Sequence, residues 1–130
     1  GQERAGRGGR SRRSMIYLAS PYAHVDPAVR QRRFEDACRA AAAILRSGRN
    51  VFSPIAHSHC IEVHSEGVGA AFDWLTYDLW FLERCDCLWV LTLDGWEESK
   101  GVAQEIKWVK QLGLAVRHVP LADILKDGGA

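Results

Sequence analysis

Residues 15–126 predict one doubly wound α/β domain, with a four- to five-stranded parallel sheet covered by helices on both faces. Three observations lead there. Short apolar runs of strand length alternate with stretches whose apolar residues recur every three or four positions. The helix-like stretches are bounded by capping residues, Asp26-Pro27 and Ser99 at starts, Gly48 and Gly113 at ends. A chain of 130 residues, 47% of them hydrophobic, also suits a single domain that buries a real core.

The elements follow in order. Ile16-Tyr17-Leu18-Ala19-Ser20 is a short apolar run, the mark of a strand covered on both sides. Asp26-Pro27 then opens a helix of about five to six turns, with Phe34, Ala37, Cys38, Ala41, Ile44 and Leu45 on one face and Gly48 as its stop. Asn50-Val51-Phe52-Ser53 reads as a second strand that Pro54 terminates, and a polar, His-rich loop follows to about Gly67. A second helix, from roughly Gly69 to Glu83, carries Phe72, Leu75, Leu79 and Leu82 on one side. Cys87-Leu88-Trp89-Val90-Leu91 is the third strand, the Ser99 helix closes at Gly113, and Leu114 to Val119 form the fourth strand. Pro120 to Lys126 add a short last helix, and residues 127–130 are expected to be a flexible end. The βαβαβαβ order implies parallel strands, right-handed crossovers and a Rossmann-like, flavodoxin-like sheet.

Charge and composition narrow the function class. Residues 1–14 carry Arg4, Arg7, Arg10, Arg12 and Arg13 against Glu3, a local balance of +4 in a chain of +1, so the rest sums to −3. A mildly acidic domain does not look like a nucleic-acid groove; only the Arg/Gly-rich tail, read as disordered, offers nucleic acid a contact. No segment is long and apolar enough to span a membrane. Cys38, Cys60, Cys85 and Cys87 form no defensible disulfide pattern, which points to a reduced, cytoplasmic chain. His57-Ser58-His59-Cys60 with His64 is dense in possible metal ligands, but its spacing matches no zinc pattern, and no metal site is assigned.

In a doubly wound sheet ligands bind beyond the carboxyl ends of the strands. Three segments fall there: Ser20-Pro21-Tyr22-Ala23-His24, Ser53-Pro54-Ile55-Ala56-His57 and Asp94-Gly95-Trp96-Glu97-Glu98-Ser99. The candidate binding residues are therefore Ser20, Tyr22, His24, Ser53, His57, Asp94, Trp96, Ser99 and Gly101. Free N–H groups at the start of the Ser99 helix favour an anion such as a phosphate, beside the carboxylate of Glu105 further along the helix.

These segments resemble a known family. Tyr17-Leu18-Ala19-Ser20-Pro21-Tyr22 looks like the first-strand motif of the nucleoside 2-deoxyribosyltransferase-like superfamily, which includes the nucleoside 5′-monophosphate N-glycosidases. Asp78-Leu79-Trp80-Phe81-Leu82, with Asp86 beyond it, resembles the helix-to-strand segment, and Ser99-x-Gly101-Val102-x-x-Glu105 resembles the nucleophile helix. Ser53-Pro54-Ile55-Ala56-His57-Ser58 and Leu93-Asp94-Gly95-Trp96-Glu97-Glu98-Ser99 resemble a compact branch known as a domain of unknown function, of the DUF1937 type. Where the deoxynucleotide hydrolases have Gly-Ser after the first strand, this chain has Ser20-Pro21.

The resemblance implies that Glu105 attacks the anomeric carbon of a nucleoside or nucleotide, that Asp78 handles the base and that Tyr17 orients the Glu. It implies no cofactor, and it implies a homo-oligomer whose sites borrow residues from a neighbouring subunit. If the two carboxyl groups act as in retaining glycosidases, they lie roughly 5–5.5 Å apart. Taken singly, each residue has a plainer reading: Glu105 beside Lys107 and Lys110 as solvated surface, Tyr17 as core, Asp78 as a partner of Arg84, His57 as a satisfied turn residue. Two other function classes stay open, a nucleotide sensor that binds without turnover and a metal or interaction module built on His57, His59, Cys60 and His64.

Overall fold

A computed structural model describes residues 14–64 and 72–130. The Arg/Gly-rich tail, except Ser14, and the expected helix start at Gly69 lie outside the described residues. Four strands, β1 (Ile16–Ala19), β2 (Val51–Phe52), β3 (Cys87–Leu91) and β4 (Ala115–Val119), pair in the order β2-β1-β3-β4. All the pairings are parallel, with Tyr17 opposite Phe52 on one side and Leu88 on the other. Five helices accompany them: α1 (Pro27–Arg46), α2 (Pro54–His64), α3 (Trp74–Leu82), α4 (Lys100–Gln111) and α5 (Leu121–Asp127), with a 3-10 turn at Trp96–Glu98. The chain is thus a single α/β domain of flavodoxin-like topology with four strands.

Side-chain alternation divides the core into two layers. In β1 and β3, Ile16, Leu18, Trp89 and Leu91 point to the side covered by α1 and α5, where they meet Ala40, Ala43, Ile44 and Ile124. Tyr17, Ala19, Leu88 and Val90 point to the opposite side and meet Leu82, Val102 and Val109 of α3 and α4. Small residues at Ala37, Ala40 and Ala43 let α1 lie close against the sheet. Both central strands are buried on both faces, which explains their unbroken apolar runs.

The His-rich segment corrects one expectation. Instead of a loop, Pro54–His64 forms α2. Ser53 serves as its N-cap, its Oγ accepting from Ala56 N at 3.1 Å, and Pro54 occupies the first turn, where its missing N–H is no loss. The proline that ends β2 therefore also starts a helix. On α2, His59 stacks on Phe34 with ring centroids 3.9 Å apart, and His57 stacks on Tyr77. Among the described residues no three His, Cys, Asp or Glu side chains converge as metal ligands. All four cysteines are free thiols.

Two boundaries also differ from expectation. Asp73 caps α3, its Oδ1 accepting from Thr76 N at 3.1 Å, so α3 begins at Trp74. The last residues, expected to be loose, are held: Gly128 and Gly129 are buried, and Arg49 Nη1 donates to Gly128 O at 2.6 Å. Among the described residues no helix is long and apolar enough to cross a membrane.

The strand order fixes where a ligand can sit. The chain moves outward from β1 to β2, then crosses back over β1 to reach β3 and β4. The reversal lies between β1 and β3, and the crevice beyond their carboxyl ends is the place where such sheets hold ligands.

Candidate active site

Three ionisable side chains from three elements converge at that crevice. Tyr17, in the second position of β1, is fully buried, and its hydroxyl donates to Glu105 Oε2 at 2.5 Å. Glu105 is 5% exposed and Asp78 8%, both far below the usual exposure of a carboxylate. Local sequence explains the burial. Val102, Glu105 and Val109 fall three and four apart on the inward stripe of α4, and Asp78 and Leu82 are one turn apart on the inward stripe of α3. The plainer reading of Glu105 as solvated surface is therefore wrong, because the helix turns it toward the sheet.

Electrostatics follow from that burial. Desolvation pushes Glu105 from its ordinary 4.5 up to about 8; the Tyr17 hydrogen bond pulls it down, and the nearby Asp78 charge raises it further. Burial likewise lifts Asp78 from 3.8 to about 7. The Tyr17 phenol, desolvated first and then facing Glu105, is held well above its ordinary value and stays a hydrogen-bond donor. Asp78 Oδ1 and Ser20 Oγ are buried without a hydrogen-bond partner among the described residues. Such deficits are rare in folded proteins and mark a place where a ligand can complete the bonding.

These groups open into a cavity of about 660 Å³, within the usual range for small-molecule sites. Glu105, Asp78 and Ser20 form its floor, Tyr22, His24, Ile55, Trp74 and Leu75 its walls, and Arg33, Gly95, Glu98, Ser99, Lys100 and Gly101 its rim. Ser99 caps α4, its Oγ accepting from Val102 N at 3.2 Å. The first N–H groups of α4 have no partner one turn back, so the helix presents donors and its positive end to this rim. Arg33 ties the rim together, donating to Ala23 O at 3.0 Å and to Asp94 O at 2.9 Å. Gly95 takes φ +88°, and a Cβ there would lie 2.4 Å from Arg33 Nη2, so this corner requires glycine.

The residues singled out from sequence divide into two groups. Tyr17 holds Glu105 in place, and Ser20, Tyr22, His24, Asp78, Ser99, Gly101 and Glu105 line the cavity. His24 Nδ1 accepts from Asp26 N at 3.0 Å, which puts the ring proton of the neutral form on Nε2. Four residues lie elsewhere. Ser53 is spent on capping α2. His57 is exposed, with Nε2 3.0 Å from Tyr77 Oη. Asp94 lines a separate groove beside Arg32 and Asp36, and Trp96 packs on the core with its ring against His118. Sequence reasoning missed Arg33, Trp74, Leu75 and Lys100. Arg33 lies one turn before Ala37 on the inward side of α1, where the apolar stripe gives way to charge, and only the strand reversal brings that end of the helix to the rim.

A buried Tyr-Glu pair and a second buried carboxylate thus lie near the start of α4 at the switch point of a flavodoxin-like sheet. Comparison with known proteins then places the chain. It belongs to the family described as a domain of unknown function, DUF1937, whose model matches residues 14–119. A solved structure of a 2-deoxyribosyltransferase from the psychrotolerant bacterium Bacillus psychrosaccharolyticus is similar in fold. The likeness has a TM-score of 0.60 and 23% identity over 82% of this chain and 72% of that one. That likeness is one of fold. No curated protein matches it.

Proposed function

We propose that this protein cleaves the N-glycosidic bond of a nucleoside or nucleoside 5′-monophosphate through Glu105. The observation that carries the reading is the buried Tyr17–Glu105 hydrogen bond at the floor of a cavity that also holds a buried, unpartnered Asp78. Glu105 attacks C1′ of the sugar, forming a glycosyl ester as the C1′–N bond breaks. The electron pair goes to the base, and Asp78 supplies the proton that neutralises it. Water or a second base then attacks C1′ and frees Glu105, giving hydrolysis or base transfer from one intermediate.

The other residues have supporting roles. Tyr17 keeps one Glu105 oxygen engaged and directs the other at the sugar. Ser99, the Gly101 N–H, Lys100 and Arg33 give the rim the donors and positive charge that suit a 5′-phosphate. His24 is placed for a ribose hydroxyl or the same phosphate. The free thiols fit a reducing compartment such as the cytoplasm. The same reading expects a homo-oligomer, and Trp80, 53% exposed on α3 beneath the Arg84 guanidinium, is the residue to find at its interface.

The test is chromatographic release of free base from ribo- and deoxyribonucleosides and their 5′-monophosphates, with wild type beside Glu105→Ala and Glu105→Gln. Release that falls by several powers of ten in both variants supports the reading. Release that survives in folded Glu105→Gln sinks the mechanism.

A further inference from the structure

Beside the main cavity lies a second, smaller one of about 110 Å³, and the two share Tyr22, Ile55, Trp74 and Asp78 as walls. It has room for roughly four waters, enough for one small ring. Its far side is made by α2, the helix that stands where a loop was expected, through Ser58 and Glu62.

Three observations concern hydrogen bonding there. Asp78 Oδ1 is buried without a partner among the described residues, in a residue only 8% exposed, and Ser58 Oγ on the same cavity is likewise buried and unpartnered, on a residue that is itself only half-buried. The Glu62 carboxylate accepts the indole N–H of Trp74, which fixes its orientation and leaves the second oxygen free of that bond. Trp74 also lines both cavities. Besides the Ser58 hydroxyl, and the Tyr22 hydroxyl and His59 ring, which are bonded to each other at 2.8 Å, the polar groups on this cavity are a fixed acceptor, Glu62, and an acid, Asp78, whose burial favours the protonated, donating form.

That pairing is not neutral toward base edges. Adenine and cytosine place a ring nitrogen that accepts beside an amino group that donates. Hypoxanthine and uracil place a ring N–H beside a carbonyl oxygen, which would face the Glu62 carboxylate and be repelled. We infer that this side cavity selects the base: Glu62 accepts its exocyclic amino group and Asp78 meets the adjacent ring nitrogen, so that adenine and cytosine derivatives are taken over hypoxanthine and uracil ones. The inference rests on the glycosidase reading for its context. The Asp78 contact that reads the ring nitrogen is also the one that delivers the proton as the base departs.

The experiment has two arms. In the first, calorimetry measures binding of free adenine against hypoxanthine and of cytosine against uracil, to wild type and to Glu62→Gln. The amino member of each pair should bind about tenfold or more tightly to wild type, the scale of a two-point base contact. In Glu62→Gln, whose amide can donate as well as accept, the preference should fall to within about threefold. In the second, release of base is compared for adenosine against inosine and cytidine against uridine, as ribo- and 2′-deoxyribonucleosides and as their 5′-monophosphates. No binding, equal binding of the two members by wild type, or a preference that Glu62→Gln leaves intact overturns the subsite. Selective binding without release from any substrate keeps the subsite and sinks the glycosidase reading; release without selectivity does the reverse.

Discussion

Replacing Glu105 by Gln should make the protein more stable in alkali and leave it no more stable in mild acid. A carboxyl whose folded titration lies at about 8, against an ordinary 4.5, binds its proton more tightly in the folded chain. Its stabilising contribution is therefore complete below the unfolded value and is lost as pH rises through the folded one. At about 1.4 kcal/mol per pH unit, the loss between pH 5 and pH 9 amounts to roughly 4 kcal/mol, a large share of a typical stability of about 5–15 kcal/mol. Glutamine has no charge to bury, so the variant escapes that loss. It instead carries a buried amide whose N–H₂ lacks an assured acceptor, a penalty of about 1–3 kcal/mol that does not depend on pH. The stability of Glu105→Gln relative to wild type should consequently rise by roughly 4 kcal/mol from pH 5 to pH 9. Urea unfolding followed by tryptophan fluorescence, at several pH values across that range, measures it. Asp78 titrates in both proteins and largely cancels. A difference that stays flat with pH would show that Glu105 does not change charge in this interval and would refute the account of its burial.

The remaining expectations concern activity and the rim. Because Glu105 must be ionised to attack and Asp78 protonated to serve the departing base, kcat/KM for base release should be bell-shaped, with an acid limb well above 4.5 and an alkaline limb as Asp78 loses its proton; a profile flat down to pH 5 would contradict the assignment. Tyr17→Phe removes the hydrogen bond that favours the Glu105 charge, so the acid limb should move to higher pH while kcat drops by about tenfold to a hundredfold, checked by a pH–rate series. Gly95→Ala meets both a left-handed φ and the Arg33 guanidinium, and should lower unfolding stability by about 1–2 kcal/mol in urea titration. Glu62→Gln should narrow the choice between amino and carbonyl bases in calorimetric titration, as argued above.

Periodicity made most of the frame legible. The strands at Ile16 and Cys87 are buried on both faces, so their runs are apolar without interruption, and no neighbour is needed to recognise them. Helices α1 and α4 carry their own caps at Asp26 and Ser99, and their stripes repeat at helical spacing. The segment after Pro54 was harder to read, because polar and apolar residues lie around α2 without one clear stripe. His57 and His59 meet partners far away in sequence, Tyr77 and Phe34, which no local pattern contains. Asp73 sets the start of α3 because its carboxylate accepts from Thr76 N, whereas the apolar residues before it in the sequence cannot cap a helix.

The sequence by itself determined the alternation of elements and the anion-favouring start of α4, because caps and periodic stripes act over a few residues; Tyr17, Asp78 and Glu105 stood together as a set only through the family resemblance. Only the tertiary structure decided that Ser53 and His57 belong to the packing of α2, that Arg33 closes the rim, and that Glu62 and Trp74 build a second cavity against Asp78. Those decisions depend on helices meeting across the reversal of strand order. The contacts join residues distant in the chain, and the geometry of the sheet, not local preference, sets which side chains meet.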